Sequence, residues 1–322
     1  MLRLDPLPPL PQALIDAVAE HCQLPLRSEL QLLSDAVKER FGNAVVGVLF
    51  YGSCLRSGNP AEGIVDLYAI VDSYAHAHSS TFLRLANTWL PPNVFMLQAC
   101  MPDGQVLQTK CAVLSLDDFD QGTGLWFQSY LWGRFAQPSR LVYCRDEVTR
   151  QRIYHALAQA VLRLAEQTLP CLPERFDSET FWQTALALSY GTELRPEAAS
   201  RPTQLVHNDK SYYRQMTLAI AAVLPGLEQI DPAADEYTHA LSEQTCQQSS
   251  KRWKVRRCQG RLLNVARLMK SVFTFENGVD YIAWKVERHT GQAIEVTPRL
   301  RRFPLIFGWP LLWRLLKDRR LR

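Results

Sequence analysis

No stretch of this sequence approaches the ~20 consecutive apolar residues that a helix needs to cross a bilayer. The longest apolar run, Phe303 to Trp313, has 11 residues and contains Pro304 and Pro310. The expectation is a chain that does not span a membrane, although it can lie on one. The eight cysteines stand at 22, 54, 100, 111, 144, 171, 246 and 258, with no CxxC pair and no Cys/His spacing of a zinc finger. Reduced thiols in a cytoplasmic protein are expected, most of them acting as small core residues. Residues 1–11 carry Asp5 and four prolines, so they lack the apolar centre of a targeting signal. Internal repeats and low-complexity tracts are missing as well.

Acidic side chains are scarce at one end. Residues 251–275 hold eight basic groups (Lys251, Arg252, Lys254, Arg256, Arg257, Arg261, Arg267, Lys270) and no acid. Residues 299–322 hold seven Arg, one Lys and one Asp. The whole chain is only +4, so the remainder is net acidic. An acidic body with a basic C-terminal quarter predicts an anionic partner there, whether lipid, nucleic acid or a phosphate compound.

What the chain does have is apolar content. Of 322 residues, 47% are hydrophobic and 21% charged, enough for a sizeable core and for two compact domains. Apolar spacing predicts helices over 12–41, broken near Pro25. Ala44 to Tyr51 is an unbroken apolar run, read as a buried strand, and Gly52-Ser53 marks a tight turn. Ile64 to Val71 is a second strand. A helix over 79–90 is stopped by Pro91-Pro92. Strands at 93–101 and 105–116 flank the Pro102-Asp103-Gly104 turn. From 147 the period turns helical, with further helices over 179–194 and 211–224. Residues 225–250 read as a surface linker. Leu262, Val265, Ala266, Met269, Val272 and Phe273 form an apolar stripe on a basic helix. The fold class is α+β. An N-terminal helical segment (1–41) precedes a mixed-sheet domain (42–145), a helical or winged-helix-like domain (146–250) and a basic, membrane-associating region (251–322).

The chemistry concentrates at Gly52-Ser53 and Asp66. A glycine after a strand lets backbone approach a triphosphate, because no Cβ intervenes. The Ser53 hydroxyl and neighbouring N–H groups can donate to phosphate oxygens. Asp66 interrupts the apolar run Ile64-Val65-Asp66-Leu67-Tyr68-Ala69-Ile70-Val71, where an unpaired buried carboxylate is costly. It is read as a functional acid able to hold Mg²⁺ against phosphate.

This spacing resembles the polymerase-β-type nucleotidyltransferases, with Tyr68 where that superfamily usually carries a second acid. One family that also lacks that acid resembles the chain more fully: the mitochondrial-type phosphatidate cytidylyltransferases (translocator assembly and maintenance family) and their bacterial relatives. The matching segments are Phe50-Tyr51-Gly52-Ser53; Val65-Asp66 with Asp72; His78, preceded here by Ala77 instead of Trp; and Lys110 before Cys111-Ala112-Val113. They continue with Trp126, Tyr130, Gly133, Arg134, Gln137 and Pro138, then Leu188 to Arg195, and Arg267 to Phe275 with Lys270 and Thr274.

The resemblance implies synthesis of CDP-diacylglycerol and pyrophosphate from CTP and phosphatidic acid, with Mg²⁺ as cofactor. It implies that Tyr51, Gly52, Ser53, Lys110 and Arg195 bind the nucleotide, that Asp66 is the catalytic and metal-binding residue, and that Arg267 and Lys270 bind the lipid phosphate. An anionic membrane surface is the expected partner, nucleic acid is not, and the expected place is peripheral on the inner face of the cell membrane. The Arg301 to Arg314 segment, with Trp309 and Trp313, suits the headgroup region. Lys110 otherwise reads as a solvated strand-end lysine and His78 as a surface histidine. The rival functions are a soluble nucleotidyltransferase acting on an antibiotic, a protein or an RNA end, and a catalytically silent module that binds membranes or nucleic acid.

Overall fold

The computed structural model describes residues 2–52, 54–55, 63–194, 200–231, 234–274 and 296–298. Ser53, Arg195 and the 299–322 segment, all singled out above, lie outside them. Helices α1 (Gln12–Cys22) and α2 (Ser28–Phe41) lead into strands β1 (Val45–Tyr51) and β2 (Ile64–Val71). Next come α3 (Tyr74–Ala77), α4 (Thr81–Trp89), β3 (Asn93–Cys100), β4 (Val106–Ser115), α5 (Leu116–Gly124), α6 (Trp132–Phe135) and β5 (Arg140–Cys144). The strands form one mixed sheet in the order β3-β4-β2-β1-β5. β2 and β4 are parallel, and the other neighbours are antiparallel.

Both faces of this sheet are covered, which is why β1 and β2 read as near-continuous apolar runs. Val48, Phe50, Val65, Leu67, Cys111 and Val113 pack with Leu30, Leu33, Val37 and Phe41 of α2. Val46, Leu49, Tyr68, Ile70 and Leu114 share the opposite core with α1, α5, α6 and the long α7 (Glu147–Thr168). That core continues without a break into α8 (Ser178–Tyr190), α9 (Arg201–Asn208) and α10 (Lys210–Ala221). The change at residue 146 is thus a change of secondary structure within one hydrophobic core.

Two readings are corrected here. Residues 225–250 are not a linker: β7 (Leu227–Asp231) and β8 (Glu236–His239) join β6 (Arg175–Asp177) in a second sheet, ordered β6-β8-β7. Each strand is too short to show a period, and one inward ring anchors the pairing, with Tyr237 stacked on Phe176 at 6.3 Å between centroids. The stripe on the basic helix α11 (Glu243–Thr274) also differs. Leu262 is 71% exposed, whereas Trp253, Arg256 and Arg267 are buried. Among the described residues, no helix is long and apolar enough to cross a membrane.

His78 is neither a surface histidine nor part of the Asp66 face. It is 4% exposed, between the rings of Phe41 and Phe95, and Asn93 Nδ2 lies 3.4 Å from its Nε2. Burial, then the charges of Arg40, Lys270 and Arg84, pull its pKa down to about 4. An unfolded histidine binds a proton below about pH 6.5, and the folded one resists until about pH 4. His78 therefore contributes stability that is complete above pH 6.5 and lost as pH falls through that window, by about 3 kcal/mol in full. Denaturant titrations between pH 7 and 4 are expected to show this slope, and His78→Phe to flatten it.

Candidate active site

The turn after β1 and the carboxylate of β2 are in direct contact. Gly52 has φ +93°, in the left-handed region, and a Cβ added there would lie 2.6 Å from Asp66 Oδ2. Only glycine provides both the backbone conformation and the space. Asp66 pairs with Tyr51 on β1 and with Lys110 on β4, so three of the expected residues are neighbours across three strands. Asp66 and Lys110 are both half-buried. Strand alternation puts Asp66 and Tyr68 on the same face.

Tyr68 occupies the second-acid position and is fully buried. Burial pushes its phenol well above the ordinary range, so it is neutral. Its hydroxyl meets Arg134, whose Nη1 donates to Tyr51, Tyr68 and Tyr130 at 3.2, 3.2 and 3.3 Å. The Nη2 of Arg134 pairs with Glu193 at 3.2 Å. Tyr130 lies between two guanidiniums, Arg134 at 4.4 Å and Arg267 at 4.0 Å from its ring centroid. The wall behind Asp66 thus carries two fixed cations and one carboxylate, with phenols between them.

Segments distant in sequence converge here. A Cβ on Gly133 would collide with Ser189 Oγ, so α6 and α8 meet at backbone distance. Ser129 and Thr192 hydroxyls lie 2.8 Å apart, and Tyr190 donates to Gln137 at 3.3 Å. Arg267 adds Nε to Pro91 O and Nη2 to Gln128 Oε1, both at 2.9 Å. Its Nη1 and the Nε of Arg134 are buried with no hydrogen-bond partner among the described residues. The Lys270 ammonium is directed at the backbone oxygens of Ala86, Leu90 and Pro92. This amine sits among three carbonyls at the end of α4, and burial, then the charge of Arg267, pulls its pKa down to about 7. In this arrangement Lys270 locks α4 to α11, and of the two residues expected at a lipid phosphate only Arg267 keeps an unused donor.

Sequence reasoning assigned no role to Arg134 and Glu193 at this site. Both lie in segments that carry the resemblance, Arg134 by name and Glu193 within Leu188 to Arg195. The signal available was an arginine after a glycine in an otherwise apolar stretch, a charge that needs a partner on folding.

Among the described residues, no group of three or more His, Cys, Asp or Glu could hold a metal ion. Mg²⁺ characteristically takes one or two carboxylates and completes its shell with phosphate and water. Asp66, set on the bare backbone of Gly52, fits that pattern.

Gly52→Ala is expected to displace the Asp66 carboxylate and to strain the turn by about 1–2 kcal/mol. Thermal unfolding of this variant should show a loss of that size, and unchanged stability would show that the contact is dispensable.

No protein-family model matches this chain, and neither does any curated protein.

Proposed function

We propose that the chain is a nucleotidyltransferase that makes CDP-diacylglycerol and pyrophosphate from CTP and phosphatidic acid. The contact between the Asp66 carboxylate and the Gly52 turn carries this reading. On it, the triphosphate lies along the backbone of Gly52 and Lys110 offers a cation from the neighbouring strand, while the expected phosphate contacts of Ser53 and Arg195 fall outside the described residues. When bound beside Asp66, Mg²⁺ would neutralise phosphate charge and favour departure of pyrophosphate. The lipid phosphate oxygen forms a bond to the α-phosphorus of CTP as the bond to the bridging oxygen of pyrophosphate breaks. That nucleophile is already anionic, so no general base is needed, and the side chains act by position and charge. Tyr68 stands where a second carboxylate would otherwise act, and Arg134 and Arg267 lie behind it, against Tyr68 and Tyr130. Their fixed charges favour a doubly anionic reacting pair.

An exposed apolar helix elsewhere in the fold supports a lipid substrate. On α4, Leu85 is 52% and Trp89 78% exposed. The far end of α4 is held by Lys270 and by Arg267 through Pro91 O. An exposed apolar helix tied to a basic one suits an anionic interface.

The full chain, incubated with α-labelled CTP, Mg²⁺ and phosphatidic acid vesicles, is expected to place label in the lipid phase, with ATP and GTP giving none. Absence of labelled lipid from CTP would refute the reading. Tyr68 is the feature that favours a silent module instead, and such a module would bind CTP without turnover.

A further inference from the structure

A cavity of about 350 Å³ lies where the short 3-10 turn Leu169–Cys171, which follows α7, meets the start of α11. Two cysteines, Cys171 and Cys246, line it, and both are half-buried. Cys171 Sγ is 3.4 Å from Ser249 Oγ. Cys246 stands three positions before Ser249 on α11, a spacing that puts side chains on one face about 5–6 Å apart. Burial pushes the Cys171 thiol up, with a smaller push from Cys246, so the two sulfurs lie within reach of each other's charge. Lys254 and Arg257 line the same cavity, and no acid does so among the described residues. Ser242 to Gln248 are exposed apart from Cys246. Few contacts therefore hold the first turn of α11, and it can shift at low cost.

We propose that Cys171 and Cys246 are a dithiol site that a small anionic disulfide oxidises to a Cys171–Cys246 bond. The proposal is independent of the transferase reading. Lys254 and Arg257 draw the carboxylates of the incoming disulfide to the cavity. Cys246 is the first nucleophile, because the buried Cys171 thiol holds its proton more tightly. The Cys246 thiolate bonds to one sulfur of the disulfide, whose S–S bond breaks and releases one thiolate. Cys171 then gives its proton to water and attacks the Cys246 sulfur, expelling the second thiolate. Two protein thiols are oxidised, and one external disulfide is reduced to two thiols. Disulfide geometry needs Cβ atoms about 3.5–4.5 Å apart, and movement of the exposed first turn of α11 supplies the approach. The bond fastens α11 to the end of α7.

The test treats the reduced, folded full chain with glutathione disulfide and maps its disulfides by mass spectrometry without reduction. Wild type is expected to yield a peptide pair joined through Cys171 and Cys246. Cys171→Ser should stop at a mixed disulfide on Cys246, and Cys246→Ser should form no internal bond. Cys100 and Cys258, both exposed, serve as internal controls and should carry only mixed disulfides. Wild type that gains mixed disulfides there while Cys171 and Cys246 stay unjoined would overturn the proposal. Cystamine, a cationic disulfide, tests the role of the two cations. At low salt it is expected to join the pair about tenfold more slowly than glutathione disulfide, and Lys254→Gln with Arg257→Gln should erase that difference. Equal rates for the two reagents in wild type would overturn the anionic selectivity.

Discussion

Asp66→Asn is expected to lower nucleotidyl transfer by about a thousandfold or more, roughly 4 kcal/mol of transition-state stabilisation. Thermal stability should change little. The substitution preserves shape, so the Gly52 turn keeps its packing neighbour, but it removes the negative charge that would gather a divalent cation. The loss should appear in kcat at saturating CTP as well as in kcat/KM, because the charge matters most as pyrophosphate leaves. A variant that loses only affinity would place Asp66 in binding alone.

Arg256→Ala is expected to have the largest effect on stability. Arg256 is fully buried. Its Nε donates to Phe127 O at 2.6 Å and its Nη2 to Gln167 Oε1 at 2.9 Å. The guanidinium carbon lies 4.5, 4.4 and 5.1 Å from the ring centroids of Phe127, Trp253 and Trp132. Burial, then the charges of Arg252 and Arg163, pull its pKa down to about 9, so the site already opposes the charge. Truncation to alanine empties the ring cage and strands the Phe127 carbonyl and the Gln167 amide. A cost of about 3–5 kcal/mol follows. Arg256→Met refills the cage without the charge and should cost about half as much. Denaturant unfolding of both variants measures this, and an alanine variant within about 1 kcal/mol of wild type would remove Arg256 as the anchor of α11.

The sheet and the position of Asp66 beside Gly52 were legible because their physics is local. An apolar run of strand length stopped by glycine announces β1, and a single carboxylate in a second such run announces Asp66. The wall behind Asp66 was not legible, because its contacts join residues far apart. Arg134 and Glu193 are 59 positions apart and meet through the approach of Gly133 to Ser189. α11 misled for a different reason. Its inward face, Trp253, Arg256 and Arg267, carries cations that spend their charge on carbonyls and rings, which in composition look like solvated groups. His78 likewise gives no local sign that Phe41, from a helix 37 residues earlier, closes over it.

The most direct test of the central claim is CTP titration into the full chain with and without Mg²⁺, in wild type and in Asp66→Asn. The account predicts that Mg²⁺ tightens CTP binding about tenfold or more in wild type and leaves the variant unchanged. Equal Mg²⁺ dependence in the two proteins would contradict it.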